Sequence, residues 1–371
     1  MRKLFSKMDK PLLFVVITFF IFGLVMVLSA SSMESYMRYG YGPYHYFFRQ
    51  AIFMLLGSIL FFIVIRIPTK SYKNLSFLMM VLIIFVLIAL LVYGHISNNA
   101  QSWFRIGGIS IQPSEFAKLS LIILTSKYLS NSNKFVKDIK RGVIPILIIM
   151  FFIFGLIMLQ PDFGTGMIIV VSIIAMLYIA GVNMKFFVGL GLIGTVGIAV
   201  LILIAPYRMD RITSFLDPWS DPLGTGFQII QSLYAIGPGG LMGVGFLNSR
   251  QKHFYLPEPQ TDFIFSIISE EFGIFGILII AALFIFILAC GIKIALKCED
   301  DFGKYLAFGM SFQMLIQAVM NLMVVVGLIP VTGVTLPFLS YGGSSLLISM
   351  ISVGILLNIC KKINKNEDLF G

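Results

Sequence analysis

Asp262 is the side chain of this sequence best placed for acid–base chemistry. It closes a polar excursion that begins at Pro206, and it heads the stretch Asp262-Phe-Ile-Phe-Ser266-Ile-Ile-Ser269-Glu270-Glu271. At about 100° per residue, Asp262, Ser266, Ser269 and Glu270 share one helix face, and Glu271 points away from it. Two readings of the acid stand side by side. A carboxylate at a helix start accepts backbone N–H bonds and meets the positive end of the dipole. The same group at the mouth of a polar cleft takes a proton as a general base. Glu271, on the opposite side, suits a structural pair with a cation on a neighbouring helix.

Other groups near the excursion suit an anionic ligand. Arg211, Arg250 and Lys252 are its best-placed cations for an anionic head group. Trp103 and Arg105 are candidates to join them, although Trp103 equally suits an anchor at the membrane interface. Lys118 follows Glu115 by three residues, so either a helical ion pair explains both charges or the lysine neutralises a phosphate. The stretch Pro161-Asp162-Phe-Gly-Thr-Gly166 interrupts two hydrophobic runs, and so does Pro330 to Ser345. Within the second, Gly342-Gly343-Ser344-Ser345 is either a tight turn or a helix start that presents N–H groups to an anion. Gln313, Gln317 and Asn321 recur every four residues in an apolar run, and hydrogen bonding between helices explains them better than substrate contact does.

What must position these groups is a membrane bundle. Hydrophobic residues make up 58% of the chain and charged ones 12%, far from the balance of a soluble domain. Apolar runs long enough to cross a bilayer as helices lie at about 11–31, 48–66, 76–93, 114–130, 142–160, 165–181, 186–205, 264–292, 305–329 and 345–360. The fourth is the weakest, because Glu115 and Lys118 fall in its first turn. Solid blocks rather than alternation exclude a transmembrane barrel. The expected fold is therefore all-α: one polytopic domain over 1–371, with ten spans and a large loop, 206–262, between the seventh and eighth.

The net charge of +10 is distributed for a membrane, not for nucleic acid. Lysine and arginine collect at the N-terminus (Arg2, Lys3, Lys7, Lys10) and then in alternate connections. These hold Arg66, Lys70 and Lys73; Lys127 to Arg141; Lys185; Lys293 to Lys304; and Lys361 to Lys365. Between them come only Arg38, Arg49 and Arg105. The positive-inside rule places both termini in the cytoplasm and the 206–262 loop outside. No signal-peptidase site follows the first apolar run, which reads as a retained helix. Cys290, Cys298 and Cys360 imply neither a disulfide framework nor a zinc set, and His45, His95 and His253 are scattered. With no nucleotide loop, nucleotide-driven transport is also unsupported.

Several motifs, in order along nearly the whole chain, resemble the FtsW/RodA/SpoVE (SEDS) family. They include Trp103-Phe-Arg-Ile-Gly-Gly-Ile-Ser-Ile-Gln-Pro-Ser-Glu-Phe-Ala-Lys118, Gln160-Pro-Asp-Phe-Gly-Thr-Gly166 and Arg211-Ile-Thr-Ser-Phe-Leu-Asp-Pro-Trp219. Asp9-Lys-Pro-Leu-Leu with Val27-Leu-Ser-Ala-Ser-Ser32, Leu256-Pro-Glu-Pro-Gln-Thr-Asp-Phe-Ile-Phe265 and Leu336-Pro-Phe-Leu-Ser-Tyr-Gly-Gly-Ser-Ser345 complete the set. Ser249 to Glu258 and Gly333 to Phe338 lean toward the FtsW/SpoVE branch. Gln260 departs from the histidine that many relatives carry.

The resemblance implies a ten-helix peptidoglycan glycosyltransferase of the bacterial cytoplasmic membrane. It would polymerise lipid II at the outer face for cell division, beside a class B penicillin-binding protein and other division-complex proteins. It maps the family's catalytic acid onto Asp262 and places Trp103, Glu115, Lys118 and Arg211 in motifs around the outer cavity. Lys118 and Arg211, with Arg105 or Arg250, would stabilise the leaving pyrophosphate. It also suggests a divalent cation (Mg or Mn) in that task, not tightly held. The competing readings are a lipid II flippase and a non-catalytic scaffold. A transporter should centre its polar site at the bilayer midplane, whereas the acids and most cations here gather at the outer edge.

Overall fold

The computed structural model describes residues 8–37, 40–97, 100–107, 109–131, 138–204 and 206–370. The charges expected at Arg2, Lys3, Lys7, Arg38, Lys134 and Lys137 lie outside the described residues.

Helix α1 (Lys10–Met37) starts where Asp9 accepts the Leu12 N–H at 3.0 Å, which satisfies one orphan donor of the first turn. Helices α2 (His45–Val64) and α3 (Thr69–Tyr93) follow, and α3 is entered through Pro68. The connection after α3 is not a plain loop. It forms a three-stranded antiparallel sheet of β1 (His95–Ser97), β2 (Ala100–Ile106) and β3 (Ile109–Ile111), in which Arg105 faces Ser110. Sequence reading missed this sheet because its strands are short, three to seven residues each.

Helix α4 (Pro113–Asn131) opens on proline, which fits a first turn with no N–H to satisfy. A π-helical turn over Ile139–Val143 leads into α5 (Ile144–Met158), and α6 (Phe163–Ile179) is capped by Asp162 on the Thr165 N–H. Then come α7 (Met184–Ile204), α8 (Pro206–Leu216), α9 (Phe227–Gly239), α10 (Ile264–Lys297), α11 (Asp301–Val325) and α12 (Gly343–Phe370). The expected 206–262 loop thus holds two helices of its own, α8 and α9. The segment read as amphipathic, 225–236, falls mostly within α9.

Among the described residues, eight stretches are long and apolar enough to cross a membrane: α1, α2, α3, Ile139–Met158, α7, α10, α11 and α12. Helix α6 is shorter, and α4 carries Glu115, Lys118 and several hydroxyl side chains. Helices α12 and α11 form the middle of the bundle, with 89% and 67% of their apolar windows buried, whereas none of the α7 window is.

The largest departure from the expected spans is in α10. Gly273 (φ 64°, ψ −158°) breaks the helix after nine residues, and the chain from Gly240 to Gly245 fills the break. Val244 and Gly245 donate their N–H groups to the Glu270 and Glu271 carbonyls, while Ile274 and Phe275 donate to the Gly240 and Leu241 carbonyls. Backbone groups freed inside a bundle need such partners. A Cβ on Gly243 would stand 2.1 Å from the Glu271 oxygen, so only glycine permits this approach.

The two ends of the bundle differ in kind. The start of α1, the α2–α3 turn, the α10–α11 turn and the last turns of α12 meet at one end. There Asn358 bonds the Val64 and Ile67 carbonyls, Lys362 approaches Asp300 at 3.5 Å, and Lys73 lies over the Phe302 ring. At the other end the α1–α2, α3–α4, α5–α6, α7–α10 and α11–α12 connections all contribute to the wall of one shared cavity.

Candidate functional site

The cavity measures about 590 Å³. Asp262 sits on its wall, just before α10, and the helix cap is Phe263, which makes no side-chain cap bond. The capping reading of Asp262 is therefore not what the structure shows. Its carboxylate takes no hydrogen bond from any described residue. Burial, above all, pushes its pKa up to about 7; Glu258 and Asp162 add to the rise, and Arg211 opposes it. An acid poised near neutrality and open to a cavity is suited to exchange a proton with a ligand. Gly333 (φ 74°) lies against it, so that a Cβ there would be 3.6 Å from Oδ2. The expected stripe below Asp262 is internal. Ser266 bonds to Ser232 of α9, and Glu270 accepts from Ser249 Oγ and from the Arg250 and Gln251 N–H groups.

Three arginines line the same cavity: Arg49 from α2, Arg105 from β2 and Arg211 from α8. Arg211 donates to the Val331 carbonyl at 3.0 Å, and Arg49 bonds to the Tyr341 hydroxyl. Trp103 lies on the wall beside them, with Tyr41, Tyr46 and Tyr341. Arg49 was overlooked as a site residue. The available signal was its place as one of very few cations in the connections otherwise free of them. The start of α12, at Gly342 and Gly343, also opens into the cavity, adding the positive end of a helix dipole.

Other sequence candidates sit elsewhere. Lys118 is 1% exposed and pairs with Glu115 at 2.8 Å and Gln317 at 2.6 Å. Gln317 in turn bonds the Thr335 carbonyl and Ser345 Oγ, so Lys118 and Glu115 stand behind the cavity wall. The Ser344 hydroxyl is buried and accepts the Gln112 N–H at 3.0 Å, which fixes β3 to α12. Arg250 is exposed and is not among the cavity-lining residues, and Lys252 is buried against Glu271 at 2.9 Å and Ser29 at 3.1 Å. The cation found by Glu271 thus comes from the polar excursion rather than from a neighbouring helix. Asp162 is also committed, accepting from Gln112, Ser114 and Thr165.

Among the described residues, no group of three or more His, Cys, Asp or Glu side chains is arranged to hold a metal.

Fold and site together define a multi-pass membrane protein with an acid-bearing, arginine-rimmed cavity at one end of its helical bundle. The model of the FtsW/RodA/SpoVE family of cell cycle proteins matches residues 10–365, and the chain belongs to that family. It is 48% identical over 360 residues to stage V sporulation protein E of Bacillus subtilis (strain 168), covering 96% of this chain and 98% of that protein. It is 41% identical over 382 residues to the probable peptidoglycan glycosyltransferase FtsW of the same organism, covering 99% and 94%. The crystal structure of the Thermus thermophilus rod shape determining protein RodA superposes with a TM-score of 0.71 at 26% identity, covering 96% and 97% of the two chains. A chain from a peptidoglycan synthase complex, described as coordinating polymerization and crosslinking, gives 0.79 at 29% identity, covering 96% and 98%.

Proposed function

We propose that this protein is a peptidoglycan glycosyltransferase that polymerises lipid II at the outer face of the cytoplasmic membrane. One observation carries the reading: an unbonded carboxylate, Asp262, shares a cavity with three arginines. Such a site holds a polyanion and a base together, as transfer of a sugar from a lipid pyrophosphate requires.

The acceptor's 4-hydroxyl is a weak nucleophile at neutral pH. Asp262 takes its proton as the new glycosidic bond forms, and the bond from the donor's anomeric carbon to pyrophosphate breaks. The donor is α-linked and the polymer β-linked, so a single displacement with inversion accounts for one carboxylate. Arg49, Arg105 and Arg211 stabilise the charge that develops on the departing lipid pyrophosphate. Lys118 and Glu115 act from behind the wall and Arg250 from outside it, so their part is support rather than contact.

We read the bundle as ten crossings, adding α4 and α6 to the eight long apolar helices. Convergence of alternate connections on one cavity supports that count. The lysine-rich end would face the cytoplasm. A class B penicillin-binding protein is the proposed partner, supported by the resemblance to a complex named for polymerization and crosslinking. Within the family, the branch is that of FtsW and SpoVE. A division role and a sporulation role are separable by depletion: filaments without septa mark the first, and defective spores with normal growth mark the second.

The decisive measurement is polymer formation from lipid II by the purified protein with its transpeptidase. Removing a general base costs about 10²–10⁴-fold, and Asp262→Asn is expected to lose glycan synthesis on that scale while still folding and binding its partner. A variant that polymerises normally would remove Asp262 from the mechanism. Movement of labelled lipid II between leaflets without polymer would replace the enzyme by a transporter.

A further inference from the structure

Three consecutive carbonyls leading into the acid are held from one side. Tyr341 N–H donates to the Gln260 carbonyl at 2.7 Å, Ser340 Oγ to the Thr261 carbonyl at 2.7 Å, and Asn321 Nδ2 to the Asp262 carbonyl at 2.7 Å. Asn321 does more than the other two. Its amide nitrogen also donates to the Val334 carbonyl at 2.7 Å, and so ties the acid's backbone to the segment that carries Gly333.

Asn321 is 1% exposed and lies one turn before the C-terminal end of α11. Its Oδ1 has no hydrogen-bond partner among the described residues. The amide's orientation is dictated by two acceptors, since a flipped side chain would aim oxygen at both carbonyls. One turn earlier on the same face, Gln317 makes the matching bond to the Thr335 carbonyl. A rigid central helix thereby sets the position of both walls that flank the carboxylate. A hydroxyl must come within hydrogen-bond reach of a base, so its placement matters to a fraction of an ångström.

We infer that Asn321 is a positioning residue for Asp262: its amide fixes the acid's backbone and the Gly333 segment to one point of α11, holding the carboxylate at the reacting hydroxyl. The inference rests on the polymerase reading and adds a residue to it. Neither bond reaches the substrate, so the effect belongs in turnover rather than in binding.

The test compares two buried amides of the same design. Asn358 also clamps two carbonyls, of Val64 at 2.8 Å and Ile67 at 2.7 Å, but at the opposite end of the bundle. Steady-state polymerisation of lipid II by the full chain with its transpeptidase is measured for Asn321→Ala, Asn321→Gln and Asn358→Ala, from pH 5.5 to 9. Misplacing a reacting group by an ångström costs about 10²-fold, so Asn321→Ala is expected to lose between about 10- and 100-fold in kcat with KM nearly unchanged. Its acid limb should also move to lower pH, because a loosened wall admits water to the carboxylate. Asn321→Gln should recover part of the loss. Asn358→Ala should lower the melting temperature and leave both kcat and the pH limb in place.

Wild-type kcat and pH limb in Asn321→Ala overturn the inference, as does an equal kcat loss in Asn358→Ala. Should Asn321→Ala fail to fold, Ser340→Ala removes the neighbouring bond to Thr261 and carries the same expectation at smaller size. Folded wild-type protein that binds lipid II and makes no polymer overturns the parent reading instead.

Discussion

At the scale of single residues, what separates Asp262 from Asp162, Glu270 and Glu271 is that its carboxylate accepts no hydrogen bond among the described residues. Asp162 accepts three hydrogen bonds, Glu270 accepts three, and Glu271 holds a buried lysine. Those groups are used up in holding the fold. Asp262 keeps its lone pairs for a ligand, and burial lifts it to about 7. The base form is the deprotonated one, so the sign of the pH dependence follows directly. Turnover is expected to be level above about pH 7 and to fall by about tenfold per unit below it. A pH–rate profile in the presence of saturating lipid II checks this. An acid limb centred near pH 4 would mean that substrate or solvent relieves the burial. The cations sort by the same criterion. Arg49, Arg105 and Arg211 face the cavity, whereas Lys118 and Lys252 each have a buried carboxylate beside them.

At the scale of elements, the broken α10 is the central device. A continuous helix from Ile264 to Lys297 would be about 50 Å long at 1.5 Å per residue, longer than a bilayer core. The break at Gly273 yields a buried piece of nine residues at the cavity end and a longer apolar piece. The shorter piece carries Asp262 at its head. Residues Gly240 to Gly245 close the break through backbone bonds, and no Cβ fits at Gly243, whose φ is 81°. Gly243→Ala should therefore cost at least about 1–3 kcal/mol of strain and lower both melting temperature and polymer yield. Gly155→Ala is the control. Nothing lies within 4 Å of its position in α5, so melting should be unchanged or slightly raised. Equal melting of the two variants would show that the 240–245 segment does not seal the helix.

At the scale of the whole molecule, convergence of alternate connections on one cavity gives the bundle its polarity. One end gathers arginines, acids, tyrosines and Trp103 around that cavity; the other joins the start of α1, the last turns of α12 and lysine-bearing turns. The proposed orientation puts the cavity end outside. Leu223, which is 88% exposed in the segment between α8 and α9, then faces the exterior, and Cys298 in the α10–α11 turn faces the cytoplasm. In intact cells, a membrane-impermeant maleimide should label Leu223→Cys and leave the native Cys298 unmodified until the membrane is opened. The reverse pattern would turn the molecule over and detach the cavity from externally displayed substrate.

Hydropathy, the alternation of lysine-rich connections and the motif spacing around Asp262 were legible from the residues alone. Each of these is a local property: a run of apolar side chains must be helical in lipid whatever surrounds it. Tertiary structure decided which polar groups were free. Lys118 meets Gln317 from 199 residues away, Ser29 meets Glu271 from 242, and Asn321 reaches Asp262 from 59. A charge is available to a ligand only when no distant group has already claimed it, and such claims are made by packing between helices. Composition and spacing therefore placed the acid and its surroundings, while the fold selected Arg49 over Lys252 as part of the wall.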